Sequence, residues 1–252
     1  MSMQQAMTRA VRKAGIEVPL RYDEITESTN TRALALAGEG APEWTVVVAG
    51  HQTAGRGRLG RTWLSEPGAA LLCSVVLRPD LEPSRAGLLT LLAGVAMAEA
   101  ARVACDAEVR CKWPNDLMVG ERKAGGILAE SAVAGARLAH VVIGAGVNVT
   151  AAPADVPGAG SLGGRDPAAL LQSFLWCLRQ RYRPADDGFA GDVLGAYRRV
   201  SATIGQRVRA TTTDGRRIAG TATDVDANGN LLVESDGETD VVAHGEIAHL
   251  DG

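Results

Sequence analysis

The sequence predicts an α+β fold: a mixed β-sheet covered by helices over residues 1–205, then a small β-barrel over residues 206–252. Three observations carry this. Short apolar or alternating runs with strand character are interleaved with longer helical ones up to about residue 200. After Gly205 the pattern changes abruptly to short alternating strands. Those strands are separated by Asp214-Gly215, Asn228-Gly229 and Asp236-Gly237, dipeptides suited to tight hairpins. With 252 residues, 46% of them hydrophobic, the chain can bury one large core and carry a small appendage.

In chain order, residues 3–14 predict a short amphipathic helix stopped by Gly15, and residues 21–26 a strand. Ser28-Thr29-Asn30 stands directly before Arg32–Ala37, where its side chains can cap a helix that ends at Gly38 or Gly40. Residues 45–49 form a buried strand. The stretch Gly50–Trp63 has neither strand nor helix period and is read as a mobile cationic loop. A strand over 70–77 precedes a helix over 83–103 that covers the sheet, and further strands follow at 109–111, 126–131 and 138–147. Residues 150–164, rich in Ala, Pro and Gly, predict a surface loop. Helices over 167–183 and 189–200 lead to a boundary near Ile204–Gln206, and strands are expected at 207–212, 217–225, 230–234 and 239–243.

A net charge of −3 argues against a surface built for nucleic-acid phosphates, so any basic site must be local. Cys73, Cys105, Cys111 and Cys177 lie far apart in apolar stretches without a Cys-x-x-Cys pair, and no secretory leader precedes them. They read as reduced core residues of a cytoplasmic protein. The apolar run 86–101 is read as a buried helix, too short for a membrane span. His51, His140, His244 and His249 have no metal-ligand spacing, and no metal site is expected.

Arginine is the default cation here, with only three lysines among 26 Lys+Arg. Two of them, Lys112 and Lys123, flank one Gly- and Pro-punctuated segment, Lys112-Trp113-Pro114-Asn115-Asp116-Leu117 followed by Arg122–Leu128. An ammonium is a compact point charge that fits between converging oxygens, where a guanidinium is a planar fork. This segment is therefore the first candidate for chemistry on an anionic substrate. Asp116 after Pro114-Asn115 reads as turn chemistry and also as a carboxylate able to take a proton from an amine. Gly55-Arg56-Gly57-Arg58-Leu59-Gly60-Arg61 alternates flexible and cationic residues, which lets backbone approach a ligand while guanidinia pair with phosphate or carboxylate oxygens. No Gly-Lys-Ser/Thr closes it, so it is not a Walker loop. Trp63 either stacks on a base or packs the loop root. Gly144-Ala145-Gly146-Val147-Asn148-Val149 ends a buried strand in small residues and an amide, without the third glycine of a Rossmann turn.

Taken in order, Ser28-Thr29-Asn30, Gln52–Arg58, Gly60-Arg61 with Trp63, Lys112–Asp116, Lys123–Leu128 and Gly144–Val149 resemble the biotin protein ligases. The resemblance spans 28–149 and extends to the C-terminal β-domain. It implies a class II synthetase-like catalytic domain and a two-step reaction: biotin and Mg-ATP give biotinyl-5'-adenylate and pyrophosphate, then a lysine of a biotin carboxyl carrier domain attacks the mixed anhydride. Lys123, Arg58 and Asp116 are the implied catalytic residues. Ser28, Thr29, Asn30, Gln52, Gly55, Arg56, Gly57, Arg58, Lys123 and Gly126 are implied for biotin. Arg58, Arg61, Trp63, Lys112, Asn115, Lys123 and Asn148 are implied for ATP. Mg2+ is expected as part of the co-substrate, and no bound prosthetic group is expected. The 27 residues before Ser28 are too few for the winged helix-turn-helix of some members, so no operator binding is expected. Nor is a nucleic-acid or membrane partner, and the chain is expected to be a monomer or weak homodimer. A lipoate or octanoate ligase of the same fold is the alternative; a nucleic-acid-binding module fits the charge poorly.

Overall fold

A computed structural model describes residues 1–250. Its larger sheet has seven strands: β1 (Arg21–Thr26), β2 (Val46–Gln52), β3 (Ala70–Leu77), β4 (Arg110–Lys112), β5 (Asp116–Val119), β6 (Arg122–Ala134) and β7 (Arg137–Asn148). Their spatial order is β1-β2-β3-β7-β6-β5-β4; only the β1–β2 pair is parallel, so the sheet is mixed as expected.

The two faces are covered unequally. The main core lies between the sheet and α1 (Met3–Lys13), α3 (Ala86–Cys105), α4 (Pro167–Arg181) and α5 (Phe189–Val200). β3 is buried at every position, as a strand covered on both faces must be. On the other face, among the described residues, only α2 (Thr29–Gly38) packs, through Ala33 and Ala37 against Val47, Val76 and Val142. Small residues bring that helix close to the sheet, and open sheet remains beyond its N-terminus.

The helix expected over 83–103 forms within two residues of those bounds, and it contains the apolar run 86–101, whose sequence reads as too short for a membrane span. With the 3₁₀ turn Pro83–Arg85, α3 continues a 23-residue helix long and apolar enough to cross a bilayer. Its packing, with Leu88, Leu89, Leu92, Ala96, Met97 and Ala100 buried against the sheet and α4, makes it a core helix.

The C-terminal strands β8 (Arg207–Thr212), β9 (Arg217–Val225), β10 (Leu231–Ser235), β11 (Glu238–Val242) and β12 (Gly245–His249) correct the expected barrel. They form an antiparallel sheet in the order β11-β10-β9-β8-β12, with no pairing between β11 and β12 to close it. β12, absent from the sequence reading, pairs with β8 and leaves its other edge facing the large domain. Gly215, Gly229 and Gly237 adopt the left-handed backbone of the predicted turns. Trp113 pegs the two sheets together: its backbone N–H donates to Thr203 Oγ1 at 3.0 Å and its indole Nε1 to Gly229 O at 3.1 Å.

Candidate active site

A cavity of about 360 Å³, within the range of small-molecule sites, opens on the thinly covered face beside the N-terminus of α2. Its floor is β6 and β7. Gly144 and Gly146 have room above them for one side chain each, because a Cβ on Gly144 would stand 2.0 Å from Asn30 Oδ1 and one on Gly146 2.8 Å from the Trp63 indole. The glycines of Gly144-Ala145-Gly146 thus seat an amide and an indole against the sheet.

One end of the cavity is neutral and hydrogen-bonded. Ser28 caps α2 by accepting from the Thr31 backbone N–H. Gln52 Oε1 accepts from the Thr29 backbone N–H at 2.7 Å and from its hydroxyl at 3.0 Å. Asn30, 3% exposed, donates through Nδ2 to Leu128 O and Glu130 Oε2, and its Oδ1 accepts from Ser74 at 2.6 Å.

The other end is cationic. The stretch expected as a mobile loop is folded: Gly50–Gln52 continue β2, and residues 56 and 62 form a β-bridge closed by Gly57 N–H donating to Arg61 O. Leu59 and Gly60 take positive φ at its tip. Arg56 pairs with Glu130, Arg61 with Glu246, and Arg58 donates to Gly245 O at 3.3 Å. Burial lowers the pKa of the Arg58 guanidinium, and Glu246 and then Asp116 oppose that shift.

Between the two ends lies the β4-β5-β6 meander. Lys112 and Asp116 are cross-strand partners, and Lys123 enters from β6, its Nζ 2.5 Å from Asp116 Oδ1. The strand β5, not predicted, is what brings lysines 112 and 123 into one cavity. Asn115 holds the turn, donating through Nδ2 to Ile127 O at 2.8 Å. Residues 158–160 run beside Lys123, whose backbone bonds Gly158 and Gly160.

Ser28, Thr29, Asn30, Gln52, Arg56, Gly57, Arg58, Arg61, Trp63, Lys112, Asn115, Asp116, Lys123 and Gly126 all line the cavity. Gly55 does not; it is buried behind the wall, where a Cβ would stand 2.5 Å from Trp63 O. Asn148 lies beneath the 150–164 segment, donating to Gly160 O. Trp63 packs on Gly146 with its buried Nε1 unpartnered. Sequence reading missed Ser74, Glu130, Gly245, Glu246 and Ile247. Lone carboxylates in strands carry no motif, and only the folded register places them here. Among the described residues no cluster of three or more His, Cys, Asp or Glu side chains could hold a metal ion.

A neutral, hydrogen-bonding pocket running into a cationic one across a lysine–aspartate pair defines the class: a site suited to holding a neutral polar group beside an anion. The family follows from comparison. The Biotin/lipoate A/B protein ligase family matches residues 22–148 and the Biotin protein ligase C terminal domain matches 203–250. The biotin–[acetyl-CoA-carboxylase] ligase of Mycobacterium tuberculosis is 39% identical over 239 residues, 89% of this chain and 86% of that protein. The bifunctional ligase/repressor BirA of Bacillus subtilis is 40% identical over 174 residues, 65% of this chain; the match spans only 54% of that relative's length. The chain belongs to the biotin/lipoate A/B protein ligase family. Its fold is that of the Aquifex aeolicus biotin protein ligase, solved with biotin and ATP, with a TM-score of 0.72, 23% identity and coverage of 92% of this chain and 99% of that one.

Proposed function

We propose that this protein activates biotin with Mg-ATP as biotinyl-5'-adenylate and transfers it to a lysine of a biotin carboxyl carrier domain. The observation that carries this is the Lys123–Asp116 pair standing between a neutral hydrogen-bonding end and a cluster of arginines.

Ser28, Thr29, Asn30 and Gln52 offer the neutral donors and acceptors suited to a ureido ring, with Gly126 leaving space beside Lys123. Gly57 lets the loop backbone approach the ligand, while Gly55 packs behind it against the Trp63 backbone. In the first step a biotin carboxylate oxygen attacks the α-phosphorus and pyrophosphate leaves. Two anions must meet, so the Lys123 ammonium between them, with Arg58, stabilises the charge that builds. Lys112, Arg61 and Asn115 stand on the ATP side, with Trp63 as a wall. Asn148 acts from behind, holding the segment beside Lys123. In the second step the carrier amine attacks the acyl carbon, AMP leaves, and Asp116, released from Lys123, accepts the proton. Arg56 and Arg58 retain the intermediate by closing the loop over it, keeping water from the anhydride.

Mg2+ fits as an ion carried by the triphosphate, since such sites need one or two protein carboxylates at most, and Asp116 and Glu246 face the cationic end. Bound there, it would neutralise phosphate charge. We place the work in the cytoplasm, performed by a monomer or weak homodimer whose catalytic unit, 1–205, and C-terminal unit, 206–252, act together. Incubation with biotin, ATP and a carrier domain should release pyrophosphate and add one biotinyl group by mass. Lipoate used in preference to biotin would overturn the assignment.

A further inference from the structure

We infer that Glu130, which stands outside the cavity wall, is a positioning residue joining the arginine loop to the recognition end of the pocket. The inference rests on the assignment of Arg56 to the cover over the ligand.

Glu130 uses its two oxygens on two different elements. Oε1 pairs with the Arg56 guanidinium, and Oε2 accepts from Asn30 Nδ2 at 2.9 Å. Arg56 has a second anchor on the same helix, donating through Nη1 to Thr31 Oγ1 at 3.1 Å. From Asn30 the connections continue inward: Ser74 Oγ lies 2.6 Å from Asn30 Oδ1 and 2.8 Å from Thr29 Oγ1, and Thr29 donates to Gln52. One unbroken path therefore runs from the loop guanidinium through Glu130 to the groups offered to the ligand's neutral head. Ordering at either end favours ordering at the other. A bound head that fixes Thr29 and Asn30 fixes Glu130, and Glu130 then holds Arg56 in the closed loop.

This pair is poorly placed to serve stability. The Arg56 and Glu130 side chains are 42% and 25% exposed, and ion pairs at such positions contribute little to folding. With an acceptor oxygen kept for Asn30, loss of the pairing with Arg56 should therefore appear in ligand retention rather than in melting. Glutamine at 130 keeps the shape but replaces one acceptor by a donor, which cannot serve Arg56 and Asn30 together.

The test compares wild type, Glu130→Gln, Arg56→Ala and the double variant. The readings are melting temperature, biotin KM and kcat from pyrophosphate release, and biotin appearing on a bystander protein rich in lysine. Glu130→Gln should melt like wild type and keep kcat within about 3-fold. Its biotin KM and bystander labelling should rise on the order of 10-fold, the effect of one charge-assisted hydrogen bond. In the Arg56→Ala background the same change should add less than about 2-fold, since the two act as one unit. Leakage from Arg56→Ala but not from Glu130→Gln, or independent multiplying effects, would overturn the role of Glu130. Tight retention by both would overturn the assignment of Arg56 as well. Wild type that releases no pyrophosphate with biotin would remove the underlying reading of the site.

Discussion

Gly144→Ala should disable the neutral end of the cavity through a single methyl group. Its Cβ would stand 2.0 Å from Asn30 Oδ1 and 2.8 Å from Cγ. Ordinary contact needs about 3.5 Å, so the amide must move by more than about 1 Å. Asn30 is 3% exposed and engages Leu128 O at 3.2 Å, Glu130 at 2.9 Å and Ser74 at 2.6 Å, so movement breaks bonds made within the protein. At about 1 kcal/mol net for each hydrogen bond, with overpacking of similar size, the total is about 2–4 kcal/mol. Shared between folding and binding, that amounts to at least a tenfold weaker biotin Kd by titration calorimetry or a melting temperature lower by about 4 °C or more. Gly191→Ala is the control: it lies exposed in α5 with open space at its Cβ and should gain about 0.5–1 kcal/mol. A Gly144→Ala protein that binds biotin within twofold of wild type and melts within a degree of it would refute the reasoning.

Lys123→Ala should remain folded yet lose on the order of 10²-fold or more in adenylate formation, the effect of one preorganised charge at a phosphoryl centre. Lys123→Arg should also be poor because a fork replaces a point charge. Near-normal pyrophosphate release by Lys123→Ala would remove Lys123 from the chemistry. A chain ending at Ser201 loses Glu246, Ile247 and both bonds that seat Trp113. If soluble, it should bind biotin while labelling the carrier poorly, and full labelling would show the C-terminal sheet to be dispensable. His249 has its pKa lowered by burial and then by Lys112, so the unfolded chain takes up the proton first and stability falls as pH drops through about 6.5. His249→Gln should lessen the fall in melting temperature between pH 7.5 and 5.5, the rest coming from His140, which burial and then Arg78 lower in the same way, and an unchanged slope would contradict this.

Local signals identified elements well where pattern and turn chemistry agreed. The caps of α2 at Ser28 and of the C-terminal hairpins at Asn228-Gly229 sit where the residues place them. β5 escaped because four residues after a Pro-Asn turn carry no period, and β12 because Gly245–His249 gains its strand character from pairing with β8. A closed barrel could not be told from an open sheet, since local alternation is the same in both. In the site, the lysines and the arginine loop stand out by composition against a lysine-poor chain. Their carboxylate partners do not: Glu130 meets Arg56 from 74 residues away and Glu246 meets Arg61 from 185 away. Asn148 shows the converse, a residue in a conspicuous motif whose side chain turns to a backbone carbonyl of the neighbouring segment instead of the cavity.

The edge strand β12 faces cations that precede it by more than a hundred residues, and this orders events during synthesis. A nascent chain holds Arg58, Arg61, Lys112 and Lys123 well before it holds Gly245–Ile247, the strand against which the arginine loop rests. Adenylate made by such an unfinished chain would escape among the lysines of the ribosome. Support for the arginine loop therefore arrives after the cations it supports. Ribosome-stalled chains lacking residues 245–247 should accordingly leak adenylate and label a carrier domain poorly, while chains stalled beyond them on a long unstructured extension should label it fully.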